Sequence, residues 1–225
     1  MFDSIAPRYD LLNRLLSFRR DIAWRRRLAN SVARHRCQRV LDLATGTGDV
    51  LLALAQNNAA HLAVGIDLAP EMLARAQQKL AKLKAPQTFS TIQADAQITS
   101  FQNNSFDAAT IAFGIRNVQN VSQTLREIIR VLKPGGRLFV LEFSLPANPL
   151  LRAIYLAYFR YAVPAIGGWI ARNRAAYAYL NQSVEAFPYG PKFCALLSAA
   201  GLIDVSFESL TFGVAAIYQG VKSCG

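Results

Sequence analysis

The chain has 225 residues and a mass of 24.8 kDa, and 52% hydrophobic against 17% charged residues excludes a disordered polypeptide and suits one α/β domain with a sizeable core. A net charge of +11 and a pI of about 10.0 leave two readings open: an anionic partner, either nucleic acid or an acidic membrane surface, or a solvated basic face. Cys37, Cys194 and Cys224 are odd in number and lie at no metal-ligand spacing, which argues against a disulfide framework and against a bound metal, and favours a reducing compartment.

Asp3, Arg8 and Asp10 fall where a signal peptide would need an apolar core, so none is expected. From Ser4 to Val32, Leu11, Leu12, Leu15 and Leu16 recur at helical spacing, followed after a break near Ser17 to Arg20 by Ile22, Trp24 and Leu28. This predicts two short helices, a cap over residues 1–34. Arg19, Arg20, Arg25, Arg26 and Arg27 crowd the break, either as a solvated face or as a site for lipid phosphates or another anion. The stretch Arg39 to Asp49, RVLDLATGTGD, begins as a buried strand and breaks at Gly46-Thr47-Gly48 before a helix to Gln56. LAVGID, ending at Asp67, is a second strand. Pro70 opens a helix to about Leu83, a third strand covers Thr88 to Ala94, and Asp95-Ala96 ends it.

A fourth strand from Phe106 to Phe113 stops at Arg116-Asn117, and a helix from Val121 to Leu132 ends at Lys133-Pro134-Gly135-Gly136, read as a turn into the fifth strand, RLFVLEF. Strands alternating with helices predict a doubly wound, Rossmann-like, mainly parallel sheet. Residues 146–188 change to an aromatic, basic, helical insertion, and Arg152, Arg160 and Arg172 interrupt it too often for a membrane span. A helix near Pro191 to Ala200 and a closing edge hairpin, Ile203 to Leu210 and Val214 to Val221, complete a seven-stranded, single-domain reading of residues 1–225.

In open α/β sheets, ligands sit outside the carboxyl ends of the strands, and here those ends carry Asp42 with Asp49, then Asp67, then Asp95. Each alone is a common cap or turn residue. Together they favour an adenosine-bearing cofactor with a positive end, S-adenosylmethionine, held by Gly46, Thr47 and Gly48 and by Asp67 at the ribose. A dinucleotide is disfavoured, because Leu51 stands where the G-x-G-x-x-G fingerprint needs glycine.

The glycine turn LDLATGTGD resembles motif I of class I S-adenosylmethionine-dependent methyltransferases. Four further stretches, FDSIAPRYDLLNRLLSFRRDIAW, FGIRNV, RVLKPGGRLFVLEFS and YAYLNQSV, resemble the signature segments of the ubiquinone and menaquinone biosynthesis C-methyltransferases over essentially the whole chain. The resemblance implies methylation of a ring carbon of a polyprenylated quinol, most plausibly demethylmenaquinol, with the demethylated ubiquinol precursor as a second acceptor. It places cofactor contacts on Thr47, Asp67 and Asp95-Ala96. At Ala112, where the family often has serine, any contact must use backbone, and Asp21 replaces the family's usual histidine. His35 and His61 lie outside the motifs and are expected at the surface.

Carbon methylation needs a proton route from a quinol hydroxyl and a positive or hydrogen-bonding group beside the oxygen. Arg116 is the first candidate, with Asn117 as a positioning donor and Asp21 as a proton acceptor, each weighed against a structural ion pair or hydrogen bond. Tyr9, Tyr177 and Tyr179 could hold the quinol ring. Leu150, Leu151, Ile154, Tyr155, Tyr158 and Phe159 recur near one helical turn, which suits either a helix admitting a lipid tail or one packed on the sheet. A cytoplasmic protein with peripheral contact to the inner face of a membrane follows, with a homodimer as one reading of its assembly. Against an RNA-binding methyltransferase, the aromatics form no RNA-binding module and no NPPY-type motif follows the fourth strand, so no nucleic-acid partner is expected.

Overall fold

The computed structural model describes residues 10–11, 13–83, 88–163 and 182–224. Tyr9, Tyr177 and Tyr179 lie outside the described residues.

Seven strands form one sheet: β1 (Arg39–Leu43), β2 (Leu62–Asp67), β3 (Thr88–Gln93), β4 (Phe106–Ala112), β5 (Leu132–Phe143), β6 (Leu202–Leu210) and β7 (Ala215–Lys222). Their order is β3-β2-β1-β4-β5-β7-β6. β1 to β5 are parallel, whereas β7 runs antiparallel between β5 and β6. The chain therefore winds outward from β1 in both directions, and the switch between β1 and β4 opens a crevice at their carboxyl ends. The helices are α1 (Arg20–Ala33), α2 (Asp49–Gln56), α3 (Pro70–Leu80), α4 (Val121–Val131), α5 (Pro149–Ala157) and α6 (Pro191–Ala199).

Side chains alternate across the pleat, so neighbours on one strand enter different cores. Val40, Phe139 and Leu141 pack with Trp24, Leu28 and Val32 of α1 and Leu51 and Leu54 of α2. Leu41, Leu43, Leu138 and Val140 pack on the other face with Ile128 and Val131 of α4 and Phe193 of α6. Local signals start the helices: Pro70 opens α3, and the Asn120 side chain accepts the Gln123 N–H at the start of α4. Asn148 accepts from Leu150 and Leu151 at the start of α5.

The expected break at Ser17 to Arg20 is present: residues 13–16 are helical, and Phe18 and Arg19 adopt left-handed backbone (φ 50 and 61°) before α1. Two expectations change. Lys133-Pro134-Gly135-Gly136 is not a turn but part of β5, which pairs with β4 from Leu132 onward across a register shift between Phe106 and Ala108. The bulge absorbs the glycines without leaving the sheet. The arginines also split. Arg19, Arg20 and Arg26 are exposed, while Arg25 points inward. His35 and His61 are exposed as expected, and the cysteines are free.

Candidate active site

The first wall of the crevice is the glycine turn. Gly48 has φ +79°, and a Cβ there would come within 2.9 Å of the Ala76 Cβ, so only glycine lets α3 approach. At Gly46 (φ +54°) a Cβ would meet nothing within 4 Å, so the backbone faces open space on that side. Beside it, Asp67 accepts the Gly46 N–H at 2.8 Å and the Ala69 N–H at 2.9 Å, one on each oxygen. A carboxylate oxygen accepts two hydrogen bonds, so each keeps capacity for a ribose hydroxyl. Asp95 accepts the Gln97 N–H at 2.8 Å, with Ala96 buried beside it. Ala112, half-buried, ends β4 and packs against the core that holds Trp24 and Leu28.

The other two acids do not face the open rim. Asp42 is 0% exposed, and its oxygens accept from the Thr45 and Thr110 hydroxyls, both at 2.6 Å. It braces the turn from beneath instead of meeting a ligand. Burial, aided by the charge of Asp67, outweighs the two hydroxyls and Arg25 and pushes its carboxyl up to about 7. Asp49 bonds Lys79 at 2.6 Å and lies 4.0 Å from Arg25. Burial works to raise its carboxyl, but those two cations hold it below the usual range. Lys79 also meets Asp10 at 2.6 Å and the Thr47 hydroxyl at 2.9 Å, and that hydroxyl donates to Asp10 at 2.6 Å. Thr47 is therefore committed through its side chain, leaving its backbone for a ligand.

The second wall lies at the ends of β4 and β5. Phe113 takes a left-handed backbone (φ 57°), which turns the chain into a short 3₁₀ segment, Ile115–Asn117, and its carbonyl accepts from Arg116 Nη1 at 3.0 Å and Asn117 Nδ2 at 3.1 Å. Arg116, its side chain 7% exposed, pairs with Glu142 of β5 and stacks over Phe143 at 5.1 Å. Its guanidinium thus serves the ion pair that was the alternative to a catalytic role, while its Nε stays unbonded among the described residues. Asp21 is engaged as well: Ser17 Oγ donates to one oxygen and Arg25 Nη1 to the other, each at 2.7 Å. Bonded at both oxygens and buried, it anchors Arg25, which stacks over Phe113 at 5.5 Å.

Aromatic rings line this wall. Phe113 and Phe143 lie 4.6 Å apart, Trp24 packs on both, and Phe159 and Tyr155 continue the row. Sequence reasoning passed over Glu142, although a single acid inside the apolar run RLFVLEF signals a buried charge that needs a partner. It also left Lys79 and the Thr45 and Thr110 hydroxyls unassigned, because their role depends on contacts distant in sequence.

The sequence matches the model of the ubiE/COQ5 methyltransferase family over residues 1–222. The chain belongs to that family. Among curated relatives, it is 48% identical over 220 residues to the demethylmenaquinone methyltransferase of Thermus thermophilus, covering 98% of this chain and 99% of that one. It is 47% identical over 223 residues to the ubiquinone/menaquinone biosynthesis C-methyltransferase UbiE of Syntrophotalea carbinolica, covering 99% and 93%. Solved structures share the fold. An O-methyltransferase family protein from Burkholderia thailandensis aligns with a TM-score of 0.69 at 15% identity, over 97% of this chain and 60% of that one. Phosphoethanolamine N-methyltransferase 2 of Haemonchus contortus, in complex with S-adenosyl-L-methionine, aligns at 0.59 and 17% identity, over 83% and 49%. As a ubiE/COQ5 family methyltransferase, the chain uses S-adenosylmethionine. The first wall fits that cofactor: open space over Gly46, spare acceptor capacity on Asp67 and Asp95, and the nearby Lys79 already neutralised by Asp10 and Asp49.

Proposed function

We propose that this enzyme methylates a ring carbon of a polyprenylated quinol, converting demethylmenaquinol to menaquinol, with the demethylated ubiquinol precursor as a second acceptor. The observation that carries the reading is the full-length likeness to a relative named demethylmenaquinone methyltransferase. The second acceptor rests on the relatives whose name joins both quinones. The aromatic row beside a buried cation supports a flat ring with an oxygen as the group received.

S-adenosylmethionine supplies an activated methyl group on a sulfonium. The residues around it bind and orient. Asp67 takes the ribose hydroxyls, Asp95-Ala96 border the adenine, and the Gly46–Gly48 turn and the backbone of Ala112 shape the space between. Asn117 fixes the Phe113 carbonyl, and with it the turn that carries Arg116, whose charge stabilises the acceptor oxygen as its proton leaves. The test is a transfer assay with radiolabelled S-adenosylmethionine on naphthoquinol and benzoquinol acceptors. Label in a carbon-methylated naphthoquinol is expected, and no label in either class would overturn the reading.

A tail of many isoprene units demands a route to the bilayer, and among the described residues no helix is long and apolar enough to cross a membrane. Peripheral contact is the reading we adopt, with the protein on the cytoplasmic face. Leu150, Leu151, Ile154 and Tyr161 are exposed, as are Leu11, Leu15, Phe18 and Ile22. The two groups are joined where Phe18 packs on Tyr158 at 5.8 Å and Tyr158 Oη donates to the Leu16 carbonyl at 3.0 Å. Exposed Arg14, Arg19, Arg20 and Arg26 accompany them and suit anionic headgroups. Flotation with anionic liposomes at low salt, lost at high salt, is expected, whereas no flotation at low salt would reject it.

A further inference from the structure

Three polar atoms in the second wall are buried and have no hydrogen-bond partner among the described residues: Arg116 Nε, Glu142 Oε2 and Tyr155 Oη. They form one group. Arg116 and Glu142 are in contact, and Tyr155 joins them along the row of rings. Tyr155 stacks on Phe159 at 4.9 Å, Phe159 packs on Phe143 at 5.9 Å, and Arg116 lies over Phe143. Buried polar atoms are almost always satisfied, so three orphans in one cluster mark a place for a polar ligand.

Their chemistry defines the ligand. Nε–H only donates, a carboxylate Oε2 only accepts, and a phenol can do either. A hydroxyl has the groups to serve all three, one O–H to donate to Glu142 and two lone pairs to accept from Arg116 and Tyr155. A carbonyl cannot, because it would leave Glu142 Oε2 without a donor and set two acceptors face to face.

We propose that Glu142, Arg116 and Tyr155 bind one ring hydroxyl of the acceptor, that this cluster selects quinol over quinone, and that Glu142 receives the hydroxyl proton. This deepens the quinol reading above and rests on it. In the step, the acceptor O–H bond breaks and its proton forms an O–H bond on Glu142 Oε2, while Arg116 Nε and the Tyr155 hydroxyl hold the oxyanion. The electron pair released into the ring forms the new carbon–carbon bond as the methyl's bond to sulfur breaks. The displaced ring-carbon proton then leaves to solvent, and Glu142 returns its proton to the oxygen. One proton is released overall, and Glu142 ends as a carboxylate.

The test measures binding of 1,4-naphthalenediol and 1,4-naphthoquinone to the full chain saturated with S-adenosylhomocysteine, by anaerobic calorimetry. Wild type is expected to bind the diol at least about 10-fold more tightly, since a site built for a hydroxyl discriminates strongly against its absence. Glu142→Gln, whose amide can donate to a carbonyl, is expected to bring that ratio close to one and to lower kcat about 100-fold or more, with S-adenosylmethionine binding unchanged. Equal wild-type affinities, or a Glu142→Gln ratio and kcat like those of wild type, would overturn the proposal. Should Glu142→Gln fail to fold, Tyr155→Phe decides. It removes only an unpartnered hydroxyl, so melting temperature should hold or rise while both affinities fall several-fold, and unchanged affinities would overturn the proposal. A wild type that prefers the diol yet methylates no quinol would refute the quinol-methylation reading and leave the hydroxyl-binding cluster standing.

Discussion

Asp42 near the end of β1 and Glu142 near the end of β5 are both carboxylates removed from water, at 0% and 1% exposure, yet the fold treats them differently. Asp42 sits between two threonine hydroxyls, with both oxygens bonded and no cation in contact among the described residues. Glu142 meets a guanidinium and the N–H of Phe143 through one oxygen and leaves the other bare among the described residues. Burial raises both carboxyls, with the Arg116 charge opposing the rise in Glu142. Where a buried acid is fully satisfied by neutral hydroxyls it braces a loop, and where it is half satisfied beside a cation it is prepared to meet something else.

The largest effect expected from breaking this contrast is in Arg116→Ala, which strands Glu142 as an uncompensated buried acid. Loss of one partner of such a pair costs about 3–5 kcal/mol, read by urea unfolding, and turnover should fall with it. Retained stability together with full turnover would show that neither the pair nor the oxyanion role matters.

Next comes the pH dependence of Asp42. Its carboxyl is raised from 3.8 to about 7 in the folded chain, so between those values the native state holds a proton that the unfolded chain has released. The stability contributed at this site is therefore full below about pH 4 and falls as pH rises to about 7, with a ceiling of about 4 kcal/mol at about 1.4 kcal/mol per pKa unit. Asp42→Asn keeps hydrogen bonding to Thr45 and Thr110 but does not titrate. Its unfolding free energy minus that of wild type should grow with pH across this window. A flat difference would mean that Asp42 is ionised at no cost and the contrast with Glu142 fails.

How much of this was legible beforehand follows from what one dimension carries. Apolar runs and the turns between them located every strand but β5 to within about a residue, because hydrophobic period and turn chemistry are local. The start of β5 was missed, since a bulge and a turn use the same Pro-Gly-Gly and differ only in whether Phe106 is there to pair with Leu132. Arg116 was expected just past the fourth strand and stands there, but its bond to Glu142, 26 residues on, depends on β4 and β5 being neighbours. Asp42 and Asp49 were read as rim charges because the sequence places them beside the turn, and it does not say that one faces inward and the other meets Lys79.

Asp67 sharpens the comparison as a third state, partly exposed and bonded by backbone on each oxygen. Asp67→Ala is expected to weaken S-adenosylmethionine binding by about 1.5–3 kcal/mol, the worth of hydrogen bonds to a charged group, with little change in quinol binding. Calorimetry with each ligand checks this. The smallest effect belongs to the solvent-facing pair Arg27–Glu208, with side chains 42% and 46% exposed. Arg27→Ala should cost under about 1 kcal/mol, and a larger loss would mean that burial is not what separates these pairs.

The placement of β7 bears on how the chain reaches its fold during synthesis. β5 has its parallel neighbour β4 as soon as it emerges, but its other edge stays unpaired until Ala215–Lys222 arrives, after the whole stretch that follows Phe143. β6, made earlier, cannot dock by itself, because β7 must slot in between. For that interval the nascent protein shows a bare hydrogen-bonding edge beside the apolar face of Leu138 and Val140, an opening for pairing with another chain. Slowing translation over β6 and β7, or depleting chaperones, should therefore raise aggregation of newly made molecules without altering those already complete.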